Sequence, residues 1–132
     1  YACHRFQQHG GAIGPDLTSA GGKFSPRDLL ESIIEPSKAI SDQYGAKIFE
    51  MNDGNVVIGR VMNLNGDTIQ VTTNMFDPSA TAKVDRKQLK SIKESPASMM
   101  PPGLINSFSK DDVLDMLAYM ISGGNPDDPM FE

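Results

Sequence analysis

The sequence predicts an α+β fold in which helices near the two ends of the chain enclose a small antiparallel β meander or barrel. Two observations support this prediction. Amphipathic helical patterns with clear start signals occur near both ends, and a stretch rich in valine, isoleucine and threonine occupies the middle. At 132 residues and 39% hydrophobic side chains, the chain is long enough for one compact core. We therefore expect a single domain over residues 1–132, with a β insertion at about 46–92.

The first predicted element is a short helix from Tyr1 to His9. Two consecutive glycines, Gly10 and Gly11, follow it directly, and such a pair ends a helix at little cost. A glycine-rich loop then leads towards the second helix.

The second predicted helix has a strong start signal. Ser25 is suited to the N-cap, Pro26 to the first helical position, and Asp28 to the reciprocal bond of a capping box. Apolar residues between Leu29 and Ile34 fall on one face, and Pro36 ends the pattern. That face has to be buried against another element.

The middle of the chain changes to the period of β-strands. The dipeptides Asp53-Gly54 and Asn65-Gly66 separate runs of β-branched residues, which is the pattern of tight hairpins. Further short strands are expected near Ala82 to Asp85 and Leu89 to Ile92. This part of the sequence carries no catalytic constellation.

The last predicted element is an amphipathic helix close to the C-terminal end. Ser109 and Asp112 repeat the capping pattern, and apolar residues from Val113 to Ile121 recur with a period near 3.6. Gly123 and Gly124 end the helix.

Composition excludes several classes of function. The net charge is −5 and the basic residues do not cluster, so the sequence lacks the charge pattern of a nucleic-acid binder. No apolar run approaches the roughly 20 residues needed to cross a bilayer, and no signal peptide is visible. A single cysteine excludes an internal disulfide. Because the sequence begins without methionine, we expect it to be part of a longer protein.

The first four residues, Tyr1-Ala2-Cys3-His4, match the haem-attachment motif C-x-x-C-H without its first cysteine. In that motif two thiols bond to the vinyl groups and the histidine ligates the iron. The missing cysteine would directly precede Tyr1. The alternative interpretation is a buried thiol beside a surface imidazole.

Two further stretches fit a haem site. An iron-bound imidazole needs an acceptor for its other ring nitrogen, and the carbonyl of Pro15 is suitable. A distal thioether ligand is available in the loop before the last helix, where we assign Met100, with Met99 as the second choice. The alternatives are an ordinary turn at Gly14–Leu17 and two methionines that only fill space. His9 is expected to be a solvated or capping residue.

The order of these features resembles a known family. The segments YACHRF, GAIGPDLT, LLESIIEPSKAISDQY, NVVIGRV, MMPPGL and VLDMLAYMI resemble the C-terminal c-type cytochrome domain of haem-binding, membrane-associated dehydrogenase-like proteins of planctomycetes and verrucomicrobia. The likeness spans nearly the whole chain and implies class I cytochrome c-like helices around the β insertion. It implies Cys3 as a haem thioether, His4 as the proximal ligand, Pro15 as its carbonyl support, Met100 as the distal ligand, and Tyr119 in a last helix that packs on the first.

The resemblance implies electron transfer through haem c with His/Met axial ligation, in the periplasm or another exported compartment. The domain would serve a larger oxidoreductase, with a redox protein or an upstream dehydrogenase-like domain as its partner, and would catalyse no reaction itself. With the first cysteine absent, we expect the chain as given to lack covalently attached haem.

Two other classes of function remain as alternatives. One is a haem-free binding module built on the β insertion. The other is a thiol enzyme that uses Cys3 and His4, but adjacent side chains on a helix diverge by about 100°, which is unfavourable for direct activation of the thiol.

Overall fold

The computed structural model describes residues 2–131, and within them the chain forms two compact units. Unit 1 combines the residues up to Ala39 with those from Pro101 onward, and unit 2 is Ile40–Met100. Each unit has its own cluster of buried apolar side chains.

Unit 1 contains a two-stranded antiparallel sheet, three α-helices and a 3-10 turn at Pro129–Phe131. The strands are β1 (Arg5–Phe6) and β2 (His9–Gly10), and the helices are α1 (Ala20–Lys23), α2 (Pro26–Ile34) and α3 (Lys110–Ile121). The buried core of this unit consists of Phe6, Ala20, Leu29, Leu117 and Met120.

The starts of α2 and α3 confirm the predicted capping boxes. The Ser25 side chain accepts a hydrogen bond from the Asp28 N–H, and the Asp28 carboxylate accepts one from the Ser25 N–H. Ser109 and Asp112 form the same reciprocal pair at the start of α3. These bonds satisfy backbone donors that have no partner inside the helix. The local sequence therefore determines where both helices begin.

The predicted helix from Tyr1 to His9 is wrong over its described part. The segment forms the hairpin of β1 and β2, in which Gln7 has a left-handed backbone with φ of 56°; Tyr1 lies outside the described residues. A helix of nine residues is only marginally stable by itself. The hairpin instead buries Phe6, which is 5% exposed, in the core of unit 1.

Unit 2 is a five-stranded antiparallel sheet. Its strands are β3 (Lys47–Met51), β4 (Val56–Asn65), β5 (Thr68–Thr72), β6 (Thr81–Asp85) and β7 (Leu89–Glu94), in the spatial order β6-β5-β4-β3-β7. A 3-10 turn at Arg86–Gln88 leads into β7. The buried core of this unit consists of Phe49, Ile69, Val71 and Val84.

The two predicted tight turns of unit 2 are confirmed. The β3–β4 connection contains Gly54 and the β4–β5 connection contains Gly66, with φ of 88° and 59° respectively. Glycine adopts a positive φ at little cost, which allows a tight turn at these positions. The turn in each case sets the register of the two strands that it joins. An irregularity between Val61 and Asn63 adds one residue, Met62, to β4 opposite β5.

The predicted α+β fold built on cytochrome c-like helices is wrong. The chain is mostly a β-sheet fold, with 27% strand and 24% helix, and residues 2–131 contain seven strands in two sheets against three short α-helices. The sequence predicted three helices, the short first one and two amphipathic ones, that pack together. The first of them forms a hairpin, and the two capped helices have only nine and twelve residues. Among the described residues, no helix has the length and apolar character needed to cross a bilayer.

Candidate functional site

Cys3 and His4 lie directly before β1, and both side chains are partly exposed. Two backbone hydrogen bonds align this segment with the loop that follows the hairpin. The Gly14 N–H donates to the Cys3 carbonyl at 2.7 Å, and the Leu17 N–H donates to the Arg5 carbonyl at 2.8 Å. The loop of residues 14–17 therefore runs beside residues 3–5.

The alignment brings His4 together with Pro15, the carbonyl support expected from the sequence. Nδ1 of His4 lies 2.8 Å from the Pro15 carbonyl oxygen. A carbonyl oxygen can only accept, so Nδ1 carries the proton and Nε2 of the neutral ring carries the lone pair. Among residues 2–131, Nε2 of His4 has no hydrogen-bond partner. This is the tautomer that ligation through Nε2 requires.

Gly14 provides the space in which the His4 ring lies. A Cβ at Gly14 would approach Cε1 of His4 to 2.5 Å and Nδ1 to 2.6 Å, closer than real side-chain contacts. This role of Gly14 was not expected from the sequence. The available signal was a glycine directly before Pro15, the expected acceptor for His4. A glycine at such a position lets the backbone approach the imidazole ring closely.

A side-chain network that was not expected from the sequence lies beside Pro15. The N–H and the hydroxyl of Thr18 both donate to Oδ1 of Asp16, at 2.8 and 2.5 Å. The Gln7 N–H donates to the Thr18 hydroxyl oxygen at 2.7 Å. The hydrogen bond from the Thr18 hydroxyl, and to a smaller extent that from the Thr18 N–H, hold the pKa of Asp16 below its usual value. The spacing Asp-x-Thr, which is typical of such turns, was the available signal.

The hairpin is tied to the end of α3. The Gln7 side-chain amide donates to the Gly123 carbonyl at 3.1 Å, and the rings of Phe6 and Tyr119 lie 4.7 Å apart at an interplanar angle of 33°. Tyr119 was expected to lie in a helix that packs on a first helix. It packs on Phe6 of β1 instead.

Met99 and Met100 are the last two residues of unit 2, and both are half-buried. The Met100 N–H donates to the Ser98 hydroxyl oxygen at 3.1 Å. The assignment of Met100 as the distal ligand, with Met99 as second choice, stays a prediction.

His4 and Cys3 have side chains of the kind that hold a c-type haem. Nε2 of His4 is available as a ligand, and Cys3 directly precedes it as a source of one thioether. Cys3 is the only cysteine of the sequence, so a second thioether would need a thiol from outside it. Residues 2–131 contain no cluster of three or more His, Cys, Asp or Glu side chains that could hold a metal ion by themselves.

Unit 1 leaves many large apolar side chains in contact with water. Each of the following is between 41% and 55% exposed: Phe24, Ile34, Leu104, Phe108, Leu114, Tyr119, Met130 and Phe131. An apolar cofactor would bury side chains of this kind. A shallow depression of about 340 Å³ in unit 1 is lined by Ile34, Glu35, Pro36, Ser37, Lys38 and Pro102, and includes neither Cys3 nor His4.

Comparison with known proteins does not assign a family. No family model matches the chain, and no curated protein is significantly similar to it.

Proposed function

We propose that this chain is an electron-transfer domain that carries a c-type haem with His4 as the proximal ligand and Met100 as the distal ligand. In this proposal it belongs to a larger exported oxidoreductase-type protein and exchanges electrons with a redox partner or an upstream domain. The observation that carries the proposal is the hydrogen bond from Nδ1 of His4 to Pro15, which leaves Nε2 free in the residue directly after Cys3. The likeness of the sequence to c-type cytochrome motifs adds support. The fold adds none, because the cytochrome c-like helical core predicted from the sequence is wrong.

Each residue of the site has a separate part in holding the cofactor. His4 would ligate iron through Nε2, the sulfur of Met100 would be the second ligand, and Cys3 would form a thioether bond within the longer protein. When bound, haem iron carries one electron by alternating between its ferric and ferrous states.

The Pro15 carbonyl acts on His4 before any cofactor is present. By accepting the Nδ1 proton it fixes the tautomer and restrains rotation of the ring. It also increases electron density on the imidazole, which makes Nε2 a stronger donor. The ring is therefore preorganised for ligation, and less conformational freedom is lost when a metal binds.

Titration of the purified 132-residue chain with ferric haem tests the proposal. We expect one haem per chain and a Soret spectrum typical of a histidine ligand. His4→Ala should abolish this spectrum, and His9→Ala is the matched control because His9 is exposed and is the only other histidine. The bound haem should also accept and return one electron in a voltammetry experiment.

Two results would contradict the proposal. One is a folded chain that binds no haem, and the other is equal loss of the spectrum in His4→Ala and His9→Ala. A folded, haem-free chain that captures a defined protein through unit 2 would instead support the alternative of a binding module.

A further inference from the structure

The loop that carries Pro15 is held by two side chains that do not contact His4. Oδ1 of Asp16 accepts both the N–H and the hydroxyl proton of Thr18, at 2.8 and 2.5 Å. Two donors on one carboxylate oxygen restrict the backbone directly after Pro15, because both bonds are short and close small rings.

The same hydroxyl connects this loop to the turn between β1 and β2. Since the Thr18 proton is donated to Asp16, the lone pairs of its oxygen remain available for the Gln7 N–H, which lies 2.7 Å away. Gln7 follows His4 by three residues and Thr18 follows Pro15 by three. The hydrogen bond between Gln7 and Thr18 therefore closes a ring that also contains the His4–Pro15 bond.

Gln7 is the first residue of the two-residue turn between β1 and β2, a position that favours a positive φ. Its φ of 56° is uncommon for a residue other than glycine, and its side chain is held by the Gly123 carbonyl at the end of α3. Such a conformation persists when the surrounding contacts determine it.

We propose that Asp16 and Thr18 are positioning residues: they hold the Pro15 carbonyl on Nδ1 of His4, and thereby keep the proton on Nδ1 and the lone pair on Nε2. The use of that lone pair by iron rests on the proposed function. The positioning itself does not, because it is a property of the chain without haem.

The chain contains a matched control in unit 2. Ser79 donates its N–H and its hydroxyl to Oδ1 of Asp77 at 3.0 and 2.5 Å, which reproduces the local geometry of Asp16 and Thr18. Asp77→Ala therefore removes the same kind of turn as Asp16→Ala, in a unit that does not contain His4.

The test is the tautomer of His4, measured by ¹⁵N NMR on the haem-free chain at about pH 8, above the usual pKa of histidine. His9→Gln assigns the signals, since the chain has two histidines. In the wild-type chain we expect mainly the Nδ1–H form. Asp16→Ala and Thr18→Val should each lower the ratio of Nδ1–H to Nε2–H about fivefold, the effect of losing one typical hydrogen bond. Thr18→Ser, which retains the hydroxyl, and Asp77→Ala should leave the ratio unchanged.

The proposal is overturned if the wild-type chain is mainly in the Nε2–H form, a measurement that needs no variant to fold. It is also overturned if Thr18→Val leaves the ratio unchanged, or if Asp77→Ala changes it as much as Asp16→Ala does. Failure of haem to bind while the tautomer behaves as expected would count against the proposed function alone.

Discussion

Gly14 lies against the face of the His4 imidazole, so closely that a Cβ at this position would be 2.5 Å from Cε1 of the ring. The glycine has an ordinary backbone conformation, with no positive φ. The requirement for glycine is therefore steric and comes from His4 rather than from a turn.

Gly14→Ala should displace the His4 ring and weaken its hydrogen bond to Pro15. We expect the free energy of unfolding to fall by about 1–3 kcal/mol, the usual cost of overpacking. Haem affinity should fall as well. Urea denaturation and haem titration measure the two effects. Gly22→Ala in α1 is the control, because a Cβ there meets nothing within 4 Å; it should change stability by no more than about 1 kcal/mol. Equal effects of the two substitutions would contradict this account of Gly14.

The capping boxes make stability depend on pH in the acidic range. Hydrogen bonds from the Ser109 side chain and backbone lower the pKa of Asp112, and those from Ser25 lower the pKa of Asp28 in the same way. A carboxyl group whose pKa is lower in the folded state binds fewer protons there than in the unfolded chain. Its stabilising effect is therefore complete above the unfolded pKa, about 3.9 for Asp, and is lost as the pH falls through the folded pKa.

Asp112→Asn tests this dependence at α3, because the amide retains an acceptor oxygen and takes up no proton. The difference in unfolding free energy between wild type and this variant should shrink as the pH is lowered from 7 to below about 3.9. Ser109→Ala, which removes the N-cap itself, should cost about 1 kcal/mol at neutral pH. Urea denaturation across the pH range measures both, and a difference that stays constant in acid would argue against the role of the Asp112 charge.

The hydroxyl of Thr72 in β5 should be dispensable for stability. Thr72 is 2% exposed, and its Oγ1 has no hydrogen-bond partner among the described residues. Thr72→Val keeps the shape and removes the buried polar atom, so we expect the free energy of unfolding to rise by about 1 kcal/mol. Thr72→Ser, which keeps the hydroxyl and removes a methyl group, should lower it. Thermal and urea denaturation decide between these outcomes, and destabilisation by valine would mean that the hydroxyl has a partner such as a bound water.

Met100 rather than Met99 should provide the distal ligand. The residue before a proline favours an extended backbone, and Met100 precedes Pro101. In the haem-loaded protein, Met100→Ala should abolish the methionine-to-iron charge-transfer band in the absorption spectrum, whereas Met99→Ala should retain it. Loss of the band only in Met99→Ala would reverse the assignment.

Features that depend on neighbouring residues were predictable from the sequence. The capping boxes at Ser25 and Ser109 and the glycine turns at Gly54 and Gly66 involve groups only a few residues apart. The His4–Pro15 hydrogen bond joins residues 11 apart, so no local pattern predicts it; it was expected because an imidazole ligand needs an acceptor, and the bond is present. The Asp16–Thr18 turn is local, but its relation to His4 depends on the hydrogen bond from Gln7 to Thr18, which also spans 11 residues.

The sequence by itself determined where two helices start and where two hairpins turn, because these features involve groups only a few residues apart. Only the tertiary structure decided that the first segment is a hairpin and that sheet predominates over helix. The reason is that Phe6 is buried by Leu117 and Met120, more than 100 residues further along the chain, and Gln7 is held by Gly123. Contacts of this kind outweigh the helical preference of a nine-residue segment, and no local pattern in that segment encodes them.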